Sequence, residues 1–157
     1  MADMSEIQDS FFQECDDLLE ALFEGLSAME GGDDDPETVN AVFRAVHSIK
    51  GGAGAFKLTD LVSFSHMFET VLDQVRSNQR ESTSELMQLF LRSADQLASL
   101  VEAAQGSAEI NVEMRDAVLA ELEACLGYGP EEEEVVFAPM VLDFGSLDGP
   151  LAPTDRT

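Results

Sequence analysis

The chain has 157 residues, enough for one domain with a modest core. Its 32 acidic and 8 basic side chains give a formal net charge of −24, which argues against nucleic-acid or anionic-membrane binding, since both require clustered lysine and arginine. No apolar run approaches a membrane span. The opening Met-Ala-Asp-Met-Ser-Glu lacks the basic and apolar regions of a secretory signal. Cys15 and Cys125 fall in apolar stripes without metal-ligand spacing, so buried, reduced thiols in a cytoplasmic protein are expected.

From about Met4 to Met29 the set Ile7, Phe11, Cys15, Leu18, Leu22, Leu26 and Met29, widened by Phe12, Leu19 and Phe23, repeats at helical period and predicts a first long helix. Gly31 to Asp35 form an acidic turn. Asp35 before Pro36 reads as an N-cap with proline at the first helical position. The second helix, Pro36 to about Ala55, buries Val39, Val42, Phe43, Val46, Ile49 and Ala53. Lys57 and Leu58 make a short connection, and Thr59 or Asp60 caps a third helix to about Ser77, with Leu61, Phe64, Phe68, Val71, Leu72 and Val75 inward. Ser82 or Thr83 starts a fourth helix with Leu86, Met87, Leu89, Phe90, Ala94, Leu97 and Val101 inward, closed off by Gly106. Asn111 caps a shorter fifth helix, with Met114, Val118, Leu119, Leu122 and Leu126 inward, ending near Gly127.

Short turns and caps every 20 to 25 residues oppose a coiled coil. They predict an all-α, antiparallel up-down four-helix bundle with a fifth C-terminal helix. Residues 1–127 are the expected domain. Residues 128–157 hold four of the five prolines and the run Glu131 to Glu134, which reads as a flexible acidic linker or tail. The segment Val135 to Phe144 is too apolar for a plain spacer and suits a strand packed on the bundle, a remnant of a following domain or a short docking motif.

One stretch stands out: Phe43-Arg44-Ala45-Val46-His47-Ser48-Ile49-Lys50-Gly51-Gly52-Ala53-Gly54-Ala55-Phe56. At about 100° per residue, His47 projects off the apolar stripe, with Gly51 and Gly54 beside it and Lys50 one turn on. Three glycines in a helix interior cost about 1 kcal/mol each relative to alanine, so bare backbone next to the histidine has a use: something large can approach. Arg44, Lys50 and Lys57 all lie within about ten residues of His47, which makes this the one place on an acidic chain where an anion is tolerated. On the third helix His66, Glu69 and Asp73 share a strip. Counted outward from the turn, Glu69 is about thirteen residues from Phe56 and His47 about nine, so the two strips lie at comparable heights.

The run HSIKGGAGAF, with FRAV before it and SHMFETVLDQVR after it, resembles the histidine phosphotransfer (P1) domain at the N-terminus of CheA-type chemotaxis histidine kinases. The resemblance covers roughly Met4 to Leu126. It implies that His47 is the phosphorylated histidine and that Glu69 accepts its Nδ1–H, leaving Nε2 as the nucleophile. Lys50 would then meet the phosphoryl oxygens, and His66 would be a further hydrogen-bond partner. The acceptor it implies is the aspartate of a CheY-like response-regulator receiver, docked over Gly51 and Gly54 with Arg44 nearby. Imidazole suits this task because it is mostly neutral at pH 7 and keeps a lone pair on one ring nitrogen.

No phosphate-binding glycine loop of nucleotide-binding type is present, so no cofactor is expected on this chain. ATP and magnesium would belong to the kinase ATP-binding domain or the receiver. Two other readings compete. One is a helical interaction module whose His47 strip is only a docking face. The other is a metal site from His47, His66, Glu69 and Asp73, disfavoured because carboxylate bundles use Glu-x-x-His pairs from two helices and His-x-x-Glu occurs here once.

Overall fold

Five helices follow one another in the computed structural model, which describes residues 4–127: α1 (Met4–Glu30), α2 (Pro36–Ala55), α3 (Thr59–Arg76), α4 (Ser84–Ala104) and α5 (Val112–Cys125). The expectations for residues 128–157, including the Val135 to Phe144 segment, lie outside the described residues.

Local sequence explains most helix ends. The Asp35 carboxylate accepts from Glu37 N at 2.9 Å with Pro36 at the first position of α2. Thr83 Oγ1 accepts from Leu86 N at 3.1 Å, and Asn111 Oδ1 accepts from Met114 N at 3.0 Å. The expected cap of α3 by Thr59 or Asp60 is corrected: Leu58 occupies the N-cap and no side chain caps the helix. The tight turn that starts α3 is made instead by the end of α2. Lys57 takes a left-handed conformation (φ 59°), its N–H donating to Gly54 O and that of Leu58 to Ala53 O. This is the paired closure that usually ends in glycine. Asn78, also left-handed, closes α3 in the same way, its N–H donating to Val75 O and that of Gln79 to Gln74 O.

Packing closes a ring. Helix α2 lies between α1 and α3, and α4 contacts both α1 and α3. With such short connections between neighbours, the packing agrees with the expected up-down bundle. The core centres on Leu22, Leu26, Val42, Val46, Ile49, Leu61, Phe64, Phe68, Leu72, Phe90 and Leu97, all essentially inaccessible. Every predicted inward residue of α3 and α4 is buried.

The outer helices need corrections. On α1, Leu19 is buried and Leu18 only half-buried, while Ile7, near the helix start, is exposed. On α5 only Val118 and Leu122 are buried, Leu119 is half-buried and Met114 exposed. Helix α5 is tied on through Arg92, which makes a two-pronged contact with Glu121 (2.5 and 2.9 Å). Cys15 is fully buried; desolvation, with the charges of Asp16 and Glu14, pushes its thiol up to about 12, so it stays protonated and inert. Cys125 is half-buried.

The bundle forms one compact unit reaching to Leu122. Beyond it, the structure describes the end of α5 and a turn in which Leu126 N donates to Glu123 O.

Candidate functional site

Helices α2 and α3 carry the site on facing strips. His47 lies on the outer side of α2, its side chain 59% exposed, and its Nδ1 is hydrogen-bonded to Glu69 Oε2 across the helix pair. The other carboxylate oxygen, Oε1, accepts from Lys50 Nζ at 2.6 Å. Glu69 itself is buried, next to the core residue Phe68 and one turn from Leu72. The equal heights expected from counting are therefore realised as contact.

A buried carboxylate must be compensated. Burial alone would raise the Glu69 carboxyl. The hydrogen bonds from Lys50 and from His47, with the positive charge these groups contribute, outweigh it and hold Glu69 below the usual carboxylate range. An ionised carboxylate can only accept, so the proton on the facing imidazole nitrogen is assigned to Nδ1. In the neutral imidazole Nε2 then keeps its lone pair. The arrangement is that of an orienting acid beneath a nucleophilic or basic imidazole.

The glycines divide. A Cβ built on Gly51 or Gly54 meets nothing within 4 Å, and both residues are exposed. They are four and seven residues after His47, on its own strip, and leave open space as expected. Gly52, five residues on and about 140° round the helix, serves another purpose: its Cβ would strike the Phe11 ring of α1, with Phe11 Cδ1 only 2.6 Å away. Arg44 is exposed on the outer face of α2.

Two placements, those of His66 and Phe43, differ from expectation. His66 is exposed on α3; its backbone carbonyl accepts from Thr70 Oγ1 at 2.7 Å, but its ring makes no hydrogen bond among the described residues, so it does not join His47 and Glu69. The strip position is right, but the side chain points to solvent. Asp73 is engaged by Arg76, at 2.6 Å, and is not turned toward the histidine. Phe43, expected in the core face, is only half-buried and its ring runs parallel to that of His47, interplanar angle 10° and centroids 6.0 Å apart. Arg76 lies over the Phe43 ring, 3.9 Å from its centroid. Position i−4 from the histidine was the available signal for Phe43; nothing in the sequence marked Arg76.

Comparison with known proteins bears on the family and the fold. A family model described as the Hpt domain matches residues 6–126. The chain is 56% identical over 122 residues to a chemotaxis protein CheA of Rhizobium meliloti, covering 78% of this chain and 16% of the relative. It is 46% identical over 161 residues to a chemotaxis protein CheA of Cereibacter sphaeroides, covering 98% of this chain and 23% of the relative. The chain thus spans less than a quarter of the length of these curated relatives. Among solved structures, the phosphorylated P1 domain of CheA3 in complex with CheY6 from R. sphaeroides is similar at TM-score 0.71 and 27% identity, covering 79% of this chain and 98% of that one.

Proposed function

The chain belongs to the Hpt domain family, and on that premise we propose that it is the phosphotransfer domain of a chemotaxis histidine kinase. In this reading His47 receives a phosphoryl group from a kinase ATP-binding domain and passes it to an aspartate of a CheY-like receiver. The observation that carries the reading is the triple His47–Glu69–Lys50: a nucleophile oriented through Nδ1 by a carboxylate that a lysine holds from its other side. The relatives named CheA and the P1 domain solved with CheY6 support the choice of pathway and acceptor.

The chemistry follows from the geometry. The Nε2 lone pair attacks the γ-phosphorus of ATP held by the kinase domain; the N–P bond forms as the bond to the ADP oxygen breaks. The ring gains positive charge, which the Glu69 carboxylate stabilises through Nδ1–H without taking the proton. In the second step a carboxylate oxygen of the receiver attacks phosphorus, the N–P bond breaks and neutral imidazole is restored. Lys50 is at hand as a point charge for the phosphoryl oxygens, a role it shares with its hold on Glu69. ATP and magnesium belong to the partners. The exposed strip of Arg44, His47, Gly51 and Gly54 is the face for the receiver.

No described helix is long and apolar enough to cross a membrane, and the reading places the chain in the cytoplasm, where its ATP-using partner works. The test is incubation with an active kinase module and γ-labelled ATP. Acid-labile, base-stable label that disappears in His47→Gln supports the proposal. Label that survives His47→Gln, or a wild-type protein that takes none, overturns it in favour of a docking bundle or another carrier residue.

A further inference from the structure

The hydrogen bond to Glu69 fixes where Nδ1 points, but one contact leaves the imidazole plane free to tilt about that direction, because the histidine χ2 torsion is broad. In-line attack at phosphorus is sensitive to such tilt, since misplacement by about 1 Å costs as much as 100-fold. Something must therefore hold the face of the ring, and neither Glu69 nor Lys50 does.

Phe43 is placed to do so. One turn before His47 on α2, it lies with its ring within 10° of parallel to the imidazole, at a centroid distance of 6.0 Å that falls in the range of aromatic pairing. A half-buried phenylalanine near the surface would itself be loose. Its ring, however, carries the Arg76 guanidinium 3.9 Å from its centroid. That guanidinium is anchored in turn, Nε and Nη2 donating to Asp73 Oδ1 at 3.1 and 2.6 Å. A guanidinium held by its own helix and centred over an aromatic face is a favourable geometry for a cation–aromatic contact. The line Asp73–Arg76–Phe43–His47 thus runs from the end of α3 to the histidine face, independent of the Glu69 contact.

We infer that Arg76 and Phe43 are positioning residues for the phosphoryl-carrying histidine: Arg76 clamps the Phe43 ring, and Phe43 sets the plane of the His47 imidazole. The inference rests on the phosphocarrier reading, and deepens it by adding two residues that touch neither phosphoryl group nor Glu69. Arg76 is 40% exposed, so its loss leaves the core intact.

The test uses the full chain with Arg76→Ala, Arg76→Lys and Phe43→Leu. The first readout needs no kinase: the Hδ2 and Hε1 resonances of His47, which sense the ring current of Phe43. The second is the initial rate of labelling as a function of kinase concentration. Arg76→Ala should move the His47 resonances in the direction that Phe43→Leu moves them, and lower the maximal rate about 2- to 5-fold, the range for an exposed cation–aromatic contact, at unchanged half-saturation. Phe43→Leu should lower it about 10-fold or more. Arg76→Lys, which keeps a cation over the ring, should recover most of both effects. Unmoved His47 resonances in Arg76→Ala overturn the inference, even if Phe43→Leu fails to fold. A rate loss confined to half-saturation also overturns it, because Arg76 would then be a docking residue. If wild-type protein takes no label, the carrier reading fails by itself, while the resonances still decide whether Arg76 and Phe43 set the ring.

Discussion

Alanine substitution of the three glycines of α2, one at a time, separates what they do. Gly51→Ala and Gly54→Ala place a methyl in open space, and replacing glycine in a helix interior gains about 0.5–1 kcal/mol. Gly52→Ala has the same gain in helix propensity, but its methyl meets the Phe11 ring edge, with Cδ1 at 2.6 Å and Cζ at 3.2 Å. The ring cannot simply step aside: Phe11 is 7% exposed and lies against Phe12 and Phe56, with centroids 5.2 and 5.5 Å away. Overpacking of this kind costs about 1–3 kcal/mol. The net effect for Gly52→Ala ranges from neutral to about 2.5 kcal/mol destabilising, which puts it about 1–3 kcal/mol below Gly51→Ala. Urea denaturation monitored by circular dichroism resolves that gap, and labelling by the kinase module should stay near wild type in Gly51→Ala. A Gly52→Ala protein as stable as Gly51→Ala would refute the close approach of α1 to α2 at this point, and with it the division of the glycines into packing and docking roles.

Glu69→Gln keeps size and an acceptor oxygen but removes the charge behind the imidazole, so the labelling rate should fall about 10- to 10⁴-fold while receiver binding, measured by titration, changes little. Because the Glu69 carboxyl is held below its ordinary range in the folded protein, its contribution to stability is full above the unfolded carboxyl pKa and is lost as pH falls through the lower folded value; wild type should therefore lose more stability than Glu69→Gln when urea midpoints are compared from about pH 5 downward. His66→Gln should alter the labelling rate by no more than about twofold, as an exposed ring without hydrogen bonds among the described residues allows. A chain ending at Gly127 should fold with the same helicity and accept phosphate, since the family match ends at residue 126; an insoluble or inert product would place residues 128–157 in the domain.

Helix boundaries and the His47–Glu69 pairing were legible because each has a local cause. Asp35, Pro36, Thr83 and Asn111 announce helix starts by side-chain chemistry that needs no partner elsewhere. The helical period and a three-residue turn set the heights of His47 and Glu69 without knowledge of the core. Residues that depend on a neighbour's position were not legible. Leu18 and Leu19 both fit the broad stripe of α1, and only the seat of α1 against α2 and α4 selects Leu19. Ile7 and Met114 fit their stripes too, but each lies near a helix start and stays exposed. The helical period set Gly51 and Gly54 apart beside His47, but what Gly52 is for was not legible, because its use is the Phe11 ring 41 residues upstream. His66 matched the pattern of spacing, yet spacing places a residue on a strip and does not choose its rotamer.

The side chain on which stability and reactivity meet is Glu69. Its position is set by the core, since Phe68 beside it is inaccessible and Leu72 one turn on is equally so, and close packing allows little drift. Its charge is tolerated because Lys50 reaches it at 2.6 Å from the other helix. Whatever moves α3 against α2 therefore moves the carboxylate and re-aims Nε2. On the proposed reading, a domain that contributes the nucleophile while its partners bring the nucleotide helps the reaction by presenting that nucleophile in one fixed attitude. A histidine on a loop would meet each partner as an ensemble of directions. One fastened through a buried carboxylate between two packed helices would, on the proposed reading, meet both donor and acceptor with the same aim, on the face of a bundle whose core stops one residue short of it.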